Sequence, residues 1–238
     1  MEKSVDKDKK ILLISAHADD HIACAGTVFK LIDMGYKPYE VVLTNSSEGP
    51  DMRKVGSKQN KNDIKQLRSE ELSKASKFLG IEKTYTFDNE DLGLAYSKEL
   101  MIKVMAIVRE VKPTVGILMN SYDWHPDHRE AFKIGSEAFK WAGSGIKPEL
   151  GEFWRTPIVL AGEGMMPIAP NILVDVTAYM DKKMELWKIY DSQATSKSIK
   201  FEEGLLQVRG YQQRKANGYF AEAFSTDPLS PMLMFENE

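Results

Sequence analysis

The sequence predicts an α/β protein built on a mostly parallel sheet. Three observations carry this expectation: a length of 238 residues, short apolar runs that alternate with amphipathic segments, and polar clusters directly after several of those runs. Short apolar runs indicate strands buried on both faces, and strands that alternate with helices favour βαβ units with right-handed crossovers. Because no repeat or linker-like segment divides the chain, we expect one domain.

The order of elements follows from these apolar runs and from apolar residues spaced by three and four. The charged residues 1–10 are expected to form a flexible arm before a single domain over 11–238, and residues 46–62, rich in Ser, Gly, Lys and Asn, a long loop. The strands are expected over residues 11–16, 40–44, 84–87, 115–119, 158–160 and 172–176, and the helices over residues 22–33, 63–79, 98–111, 129–141, 178–191 and 201–216.

Composition excludes several classes of protein. Basic and acidic residues nearly cancel, to a net charge of −3, which argues against nucleic acid or anionic lipid as a partner. Cys24 is the one cysteine, so a disulfide framework and a Cys-rich zinc finger are excluded, and we expect it in the core. Every apolar run is far shorter than the about 20 residues of a bilayer span. The run at 11–16 also falls short of the about 7–15 apolar residues of a signal peptide and leads directly into His-Ala-Asp-Asp. We therefore expect a cytoplasmic protein without a membrane span.

The four histidines gather in two segments, one after the first predicted strand and one after the fourth. Ligands of a parallel sheet bind beyond the carboxyl ends of its strands, so these segments are expected to meet. His17 and Asp20 lie three residues apart across a strand-to-helix turn and can point at one spot, where His128 can add a third ligand. Three such ligands with one open position suit a catalytic Zn²⁺, which lowers the pKa of bound water to about 7.

Acid–base groups accompany the predicted ligands. Asp19 is the candidate general base, and His125 is the candidate group to stabilise an oxyanion or protonate a leaving amine, with Asp127 orienting its imidazole. Each motif alone also fits a structural role, since Asp-Asp after a strand often caps a helix and His-Pro-Asp-His can form a turn. Their joint presence at strand ends favours a site.

These residues resemble the motifs of the LmbE-like, or PIG-L, family of zinc-dependent N-deacetylases, whose members remove acetyl from N-acetylglucosamine-type groups. Ala16-His17-Ala18-Asp19-Asp20 matches the family's opening motif, and the His-Pro-Asp-His sequence at 125–128 matches its second. Further family signatures are resembled, in order, by Gly26-Thr27, Arg68-Ser69-Glu70-Glu71, Asp175-Val176-Thr177, Ser192-Gln193 and the segment 219–224.

The resemblance implies a Rossmann-like three-layer sandwich that hydrolyses the N-acetyl group of an N-acetylglucosamine-type conjugate. Alanine at position 18 and the overall length look most like the branch that deacetylates N-acetylglucosaminyl malate in bacillithiol synthesis. Members often assemble, so the resemblance also allows a homo-oligomer. It assigns seven residues: zinc ligands His17, Asp20 and His128, the general base Asp19, the charge-stabilising pair His125 and Asp127, and Arg68 near the substrate.

The chain departs from the family pattern in the first helix, where His21 occupies a region that usually holds a glutamate. We expect His21 at the pocket rim or behind the metal ligands. Two alternatives stay open. Paired acids after a strand also suit a Mg²⁺-dependent phosphoryl-transfer protein, although Mg²⁺ would not explain the histidines and no glycine-rich P-loop is present. The second is a non-catalytic ligand-binding protein on the same fold.

Overall fold

The computed structural model describes residues 9–227. Its centre is a seven-stranded sheet in the order β3-β2-β1-β4-β5-β7-β6. The first five strands in this order are parallel, and β7 is antiparallel to both β5 and β6. The strands are β1 (Lys10–Ser15), β2 (Lys37–Thr44), β3 (Lys83–Asn89), β4 (Val115–Leu118), β5 (Ile158–Gly162), β6 (Ile172–Asp175) and β7 (Ala221–Thr226).

Helices cover both faces of this sheet and complete three layers. Alternate residues of β1 point to opposite faces, so Leu12 and Ile14 pack towards one helical layer while Ile11 and Leu13 pack towards the other. Helices α3 and α4 form the first layer, and α1, α2 and α5 the second, whereas α6 packs against β7. The helices are α1 (Ala25–Asp33), α2 (Lys61–Leu79), α3 (Lys98–Val111), α4 (Pro126–Ala142), α5 (Met180–Ile189) and α6 (Ser196–Gln212).

Helix boundaries follow local capping chemistry. Asn60 caps α2 by accepting a hydrogen bond from the Asn62 N–H at 2.8 Å, and Gly80 ends the helix with φ of +85°, a backbone conformation that favours glycine. Ser97 caps α3 in the same way through the Leu100 N–H at 3.0 Å. These caps place the turns that leave each strand, and hence the loops at the carboxyl edge of the sheet.

The predicted fold class is confirmed, with differences at particular elements. Residues 1–8 of the predicted arm lie outside the described residues, and Lys10 already belongs to β1. The predicted helix over 22–33 is a short 3₁₀ helix, Asp20–Cys24, followed by α1. Strand β7 was not predicted, because its sequence contains a buried glutamate and two alanines rather than a run of β-branched residues. Within residues 9–227, no helix has the length and apolar character needed to cross a bilayer.

Candidate metal centre and active site

The two histidine segments meet between β1 and β4, the point at which the order of strands in the sheet reverses. Strands β1 and β4 are hydrogen-bonded neighbours, with β2 on one side and β5 on the other. Their carboxyl ends therefore open one crevice, the position at which open parallel sheets bind ligands. His17 follows β1 directly, and the segment 125–128 follows β4 and forms the first turn of α4. Segments more than a hundred residues apart are thus brought together.

The three predicted metal ligands converge. The Nδ1 atom of His17 lies 3.2 Å from Nε2 of His128, and the two carboxylate oxygens of Asp20 lie 3.1 Å from that Nε2 and 3.6 Å from that Nδ1. Asp20 is held in place because its Oδ2 also accepts the main-chain N–H groups of Ala16 and His17, at 2.9 and 2.7 Å. Two imidazole nitrogens and a carboxylate at these separations form a donor set that fits Zn²⁺.

The other nitrogen of each imidazole faces a carboxylate. Nδ1 of His128 lies 3.2 Å from Oδ2 of Asp123, and Nε2 of His17 lies 3.1 Å from Oδ1 of Asp91 and 3.3 Å from Oδ2 of Asp127. Metal-bound histidines show this arrangement, in which a carboxylate fixes the tautomer and ring orientation. Asp91 and Asp123 were missed by the sequence reasoning, although both follow a strand at this same edge of the sheet.

Other donor combinations are also close. Nitrogens of His17, His125 and His128 lie within 4.8 Å of one another, as do ligand atoms of His17, Asp91 and Asp127. The first group shares two members with the predicted set and exchanges Asp20 for His125. One ring nitrogen of His125 is already engaged by the main chain, as described below, which favours Asp20 as the third ligand.

Charge in the cluster is concentrated on the two ligand histidines. Burial opposes protonation, but the carboxylates of Asp20 and Asp123 outweigh it and raise the pKa of His128 to about 9. Burial also opposes protonation of His17, but the carboxylates of Asp20, Asp127 and Asp91 raise its pKa well above the ordinary value. Burial and the charges of His17 and His128 lower the pKa of His125. Without a metal the site therefore holds protons on its ligands, and a divalent cation would displace them.

Asp19 is paired with Arg68. Its Oδ1 lies 2.5 Å from Nη2 of Arg68, while 20% of its side chain remains exposed and lines the pocket. Arg68 is buried, with Nη1 3.4 Å from Glu71 and its guanidinium 5.4 Å from the centre of the Tyr190 ring. Arg68 thus lies at the pocket, as predicted, and its nearest partner there is the predicted base.

The role predicted for the Asp127 carboxylate differs from what the structure shows. His125 is the N-cap of α4, and its Nδ1 accepts the main-chain N–H of Asp127 at 3.2 Å, so the main chain orients the imidazole. The Asp127 carboxylate instead accepts the N–H groups of Leu92 and Leu94, at 2.8 and 3.2 Å, and faces His17. The physical reason is that the first N–H groups of a helix need acceptors, and the His125 ring supplies one.

His21 lies behind the pocket wall, the second of its two expected places, and not at the rim. It is buried, with Nδ1 2.8 Å from Oε2 of Glu40 and Nε2 3.0 Å from the hydroxyl oxygen of Tyr190. The Tyr190 hydroxyl also donates to the carbonyl oxygen of Ala18. In the sequence, Ala18 stands between the predicted ligand His17 and the predicted base Asp19. The sequence feature that could have indicated a buried His21 is Glu40, because a carboxylate inside a buried strand requires a buried partner.

The cluster lies in a pocket of about 370 Å³, within the size range of small-molecule sites. The predicted metal ligands, Asp19 and Arg68 form part of its wall, and the rest comes from loops and from α5 and α6. Four exposed apolar side chains also line the pocket: Leu92, Trp124, Met165 and Phe201.

The comparisons with known proteins agree with this geometry. The model of the GlcNAc-PI de-N-acetylase, or PIG-L, family matches residues 12–139, more than half of the chain. The chain belongs to the PIG-L family. The matched stretch contains all seven residues to which the sequence assigned a role in the site.

Two proteins with similar sequences are both named as deacetylases. Diacetylchitobiose deacetylase of Thermococcus kodakarensis is 27% identical over 233 residues, which cover 92% of this chain and 84% of that protein. The 1D-myo-inositol 2-acetamido-2-deoxy-alpha-D-glucopyranoside deacetylase of Rhodococcus erythropolis is 29% identical over 173 residues, 63% of this chain and 59% of that protein.

Solved structures show the same fold with different reactions. GalB, the 4-carboxy-2-hydroxymuconate hydratase of Pseudomonas putida, has a TM-score of 0.82 at 23% identity and covers 97% of this chain and 100% of its own. The N,N'-diacetylchitobiose deacetylase of Pyrococcus horikoshii has a TM-score of 0.80 at 22% identity, with 94% and 85% covered. Because one fold carries both a hydratase and a deacetylase, the reaction has to be argued from the site.

Proposed function

We propose that this protein is a Zn²⁺-dependent hydrolase that removes the N-acetyl group from an N-acetylglucosamine-type conjugate. One observation carries the proposal: donor atoms of His17, Asp20 and His128 converge within 3.1 to 3.6 Å in an open pocket that also holds Asp19. The names of the two sequence relatives, both deacetylases of acetamido sugars, support the reaction class.

The donor set favours zinc over magnesium. Mg²⁺ prefers oxygen ligands and retains several waters, whereas two imidazole nitrogens with one carboxylate are typical of zinc. His17, Asp20 and His128 would hold the ion, which would act as a Lewis acid and lower the pKa of a nearby water molecule. The magnesium alternative leaves the two converging imidazoles without a role.

Asp19 is the proposed general base. Its carboxylate is anchored by Arg68 at 2.5 Å but remains partly exposed to the pocket, so one face can take a proton from water. That water attacks the acetyl carbon and forms the new C–O bond while Asp19 takes one of its protons. Asp19 then passes this proton to the amide nitrogen as the C–N bond breaks, so that the nitrogen leaves as a neutral amine. The remaining acetic acid loses the second proton of the water, giving acetate and a free amino sugar.

His125 is proposed to stabilise the oxyanion that develops on the acetyl oxygen. Its Nδ1 accepts the Asp127 N–H, so a neutral ring carries its proton on Nε2 and can donate there. A fixed donor of this kind is typically worth about 3 kcal/mol of barrier. The helix cap therefore sets the tautomer that the reaction needs.

The test is acetate release from N-acetylglucosaminides, including N,N'-diacetylchitobiose, by protein stripped of metal and then reloaded. We expect zinc, and not magnesium, to restore activity, with one free amine formed per acetate. Recovery with magnesium alone would refute the zinc assignment. If the zinc-loaded protein releases no acetate from any member of such a panel, the hydrolase proposal fails and a non-catalytic binding protein is favoured.

A further inference from the structure

The charged groups of the pocket place limits on what the sugar can be attached to. Histidines aside, Arg68 is the one cationic side chain lining the pocket among residues 9–227. It is buried and paired with both Asp19 and Glu71, so its charge is already balanced. Apart from the proposed Zn²⁺, an anionic ligand would find no cation there that lacks a carboxylate partner. Five carboxylates line the pocket, so its lining stays negative when Arg68 and a divalent ion are both counted.

Two further carboxylates, Glu48 and Glu202, line the pocket apart from the metal cluster. Glu48 contacts Lys61, which does not line the pocket and is mostly exposed to solvent. Glu202 lies 2.7 Å from Nζ of Lys183, which is fully buried and bound at the same distance by Glu222. Lys61 lies outside the pocket and Lys183 is enclosed by its two carboxylates, so neither ammonium group lines the pocket, whereas Glu48 and Glu202 both do. A carboxylate or phosphate on the ligand would therefore meet repulsion.

Aromatic rings supply the other contacts. Trp124 and Phe201 both line the pocket and are 57% and 46% exposed, so both rings offer surface to a ligand in the pocket. They come from different elements, the loop before α4 and the middle of α6, and the Trp124 ring lies 5.6 Å from the ring of His125. The electron-rich faces of such rings suit the C–H faces of a pyranose, a neutral ligand with apolar sides.

We infer that this pocket binds an electrically neutral N-acetylglucosaminide whose second ring packs on Trp124 and Phe201, and that it discriminates against conjugates whose aglycone carries carboxylate or phosphate. The inference rests on the proposed function for the position of the first sugar. It opposes the expectation drawn from the resemblance to the malate branch, because malate is a dicarboxylate.

Binding of two deacetylated products, which the enzyme cannot hydrolyse further at that amine, tests whether the pocket prefers a neutral or an anionic aglycone. Glucosaminyl-N-acetylglucosamine and glucosaminyl malate share the same amine and differ in the charge of the aglycone. Calorimetry on the zinc-loaded protein at 0.15 M salt is expected to give a Kd at least tenfold lower for the first. Equal or tighter binding of the malate product, or no binding of either, would overturn the inference. Failure to release acetate, with this preference intact, would count against the proposed function alone.

Matched variants assign the preference to named side chains. Trp124→Ala and Phe201→Ala are expected to raise the Kd of the disaccharide product at least fivefold. Tyr122→Ala and Tyr211→Ala, which remove rings that are 63% and 88% exposed and outside the pocket, should leave it within twofold. If the four variants behave alike, the rings do not form the second subsite.

The carboxylates are tested in the same assay. Glu48→Gln should reduce the preference for the neutral product about three- to tenfold, since one charge near the ligand is removed. Glu70→Gln, which removes an exposed carboxylate of α2 outside the pocket, is the control and should leave the preference unchanged. An unchanged preference in Glu48→Gln would show that Glu48 does not repel anionic ligands.

Discussion

Asp19 and Asp20 are neighbours in sequence with different partners, and the difference separates two roles. Asp20 is buried between the imidazoles of His17 and His128, which together hold the pKa of its carboxyl well below the usual range against the effect of burial. Asp19 turns to Arg68 and stays partly exposed. One carboxylate is therefore placed to hold a cation and the other to accept a proton.

Replacing Asp19 by asparagine tests that division. Asp19→Asn should lower kcat for acetate release about 100-fold or more, because the proton acceptor is lost. Zinc content and zinc affinity should stay within twofold of the parent, since the ligand atoms are untouched. The exposed Asp181→Asn, on α5, is the control and should change neither quantity. Loss of zinc in parallel with activity would instead make Asp19 a ligand.

The identity of the third metal ligand is decided by a pair of variants. Asp20→Ala should weaken zinc binding at least tenfold, whereas His125→Ala should reduce kcat while retaining the metal, because its Nδ1 serves the helix cap. His128→Ala, which removes a member common to both candidate sets, is the positive control. Metal titration by competition with a chromogenic chelator measures all three. Retention by Asp20→Ala together with loss in His125→Ala would favour the three-histidine site.

At the scale of elements, helix α1 receives its N-terminal cap from the far end of the chain. Its own N-cap residue, Cys24, makes no capping hydrogen bond, because its Sγ donates to the carbonyl oxygen of His21 instead. Glu222 of β7 instead accepts the N–H groups of Gly26 and Thr27, at 2.8 and 2.7 Å. A Cβ at position 26 would lie 2.7 Å from Cβ of Val176, so the approach requires glycine. The signatures at 26–27 and 219–224 are thus parts of one contact.

Glu222→Ala should therefore destabilise the fold strongly. It removes the cap of α1 and leaves the buried Nζ of Lys183 with Glu202 as its remaining carboxylate partner. Breaking a buried pair on one side typically costs about 3–5 kcal/mol in the free energy of unfolding. Urea unfolding followed by circular dichroism measures the change. Glu203→Ala, exposed on α6, should stay within about 0.5 kcal/mol. A similarly small effect of Glu222→Ala would show that the contact is not structural.

The elements also show which part of the fold was predictable from sequence. The alternation through α4 was predicted because β1 and β4 are almost wholly buried apolar runs between helices with clear caps. Strand β7 was missed, since Glu222 in its centre breaks the apolar pattern for a reason that exists only in the tertiary structure. Helix α6 starts at Ser196 through a Thr195 cap, earlier than its few apolar residues indicated.

At the scale of the whole molecule, the candidate site depends on the order of strands rather than on any one segment. The convergence of His17 with His128 was predictable from strand alternation and the carboxyl-edge rule. Asp91 and Asp123 were not, because a carboxylate behind an imidazole leaves no spacing pattern in the chain. The main-chain orientation of His125 was missed for the same reason, since a helix cap formed by an imidazole depends on how the chain folds around it.

Protons bound by His17 and His128, the two predicted histidine ligands, connect metal binding to the stability of the fold. The pKa of His128 is about 9 in the metal-free fold and about 6.5 when unfolded, so the folded state binds the extra proton. That stabilisation is fully present below pH 6.5 and is lost as the pH rises to about 9. The raised pKa of His17 acts in the same direction. A bound cation needs both imidazoles deprotonated, so the metal-loaded fold has no such protons to lose.

We therefore expect the two forms to lose stability to different extents between pH 6.5 and 9. The Tm of the metal-depleted protein should fall by about 5 °C or more, since each 1 kcal/mol shifts Tm by about 2–4 °C at this size. The Tm of the zinc-loaded protein should fall less, so the stabilisation by zinc widens with pH, because protons no longer compete for the ligands. Parallel scans of both forms in the same buffers provide the control for titration elsewhere in the chain. A zinc-induced shift that is constant or shrinks over this range would mean that His17 and His128 do not exchange protons for the metal.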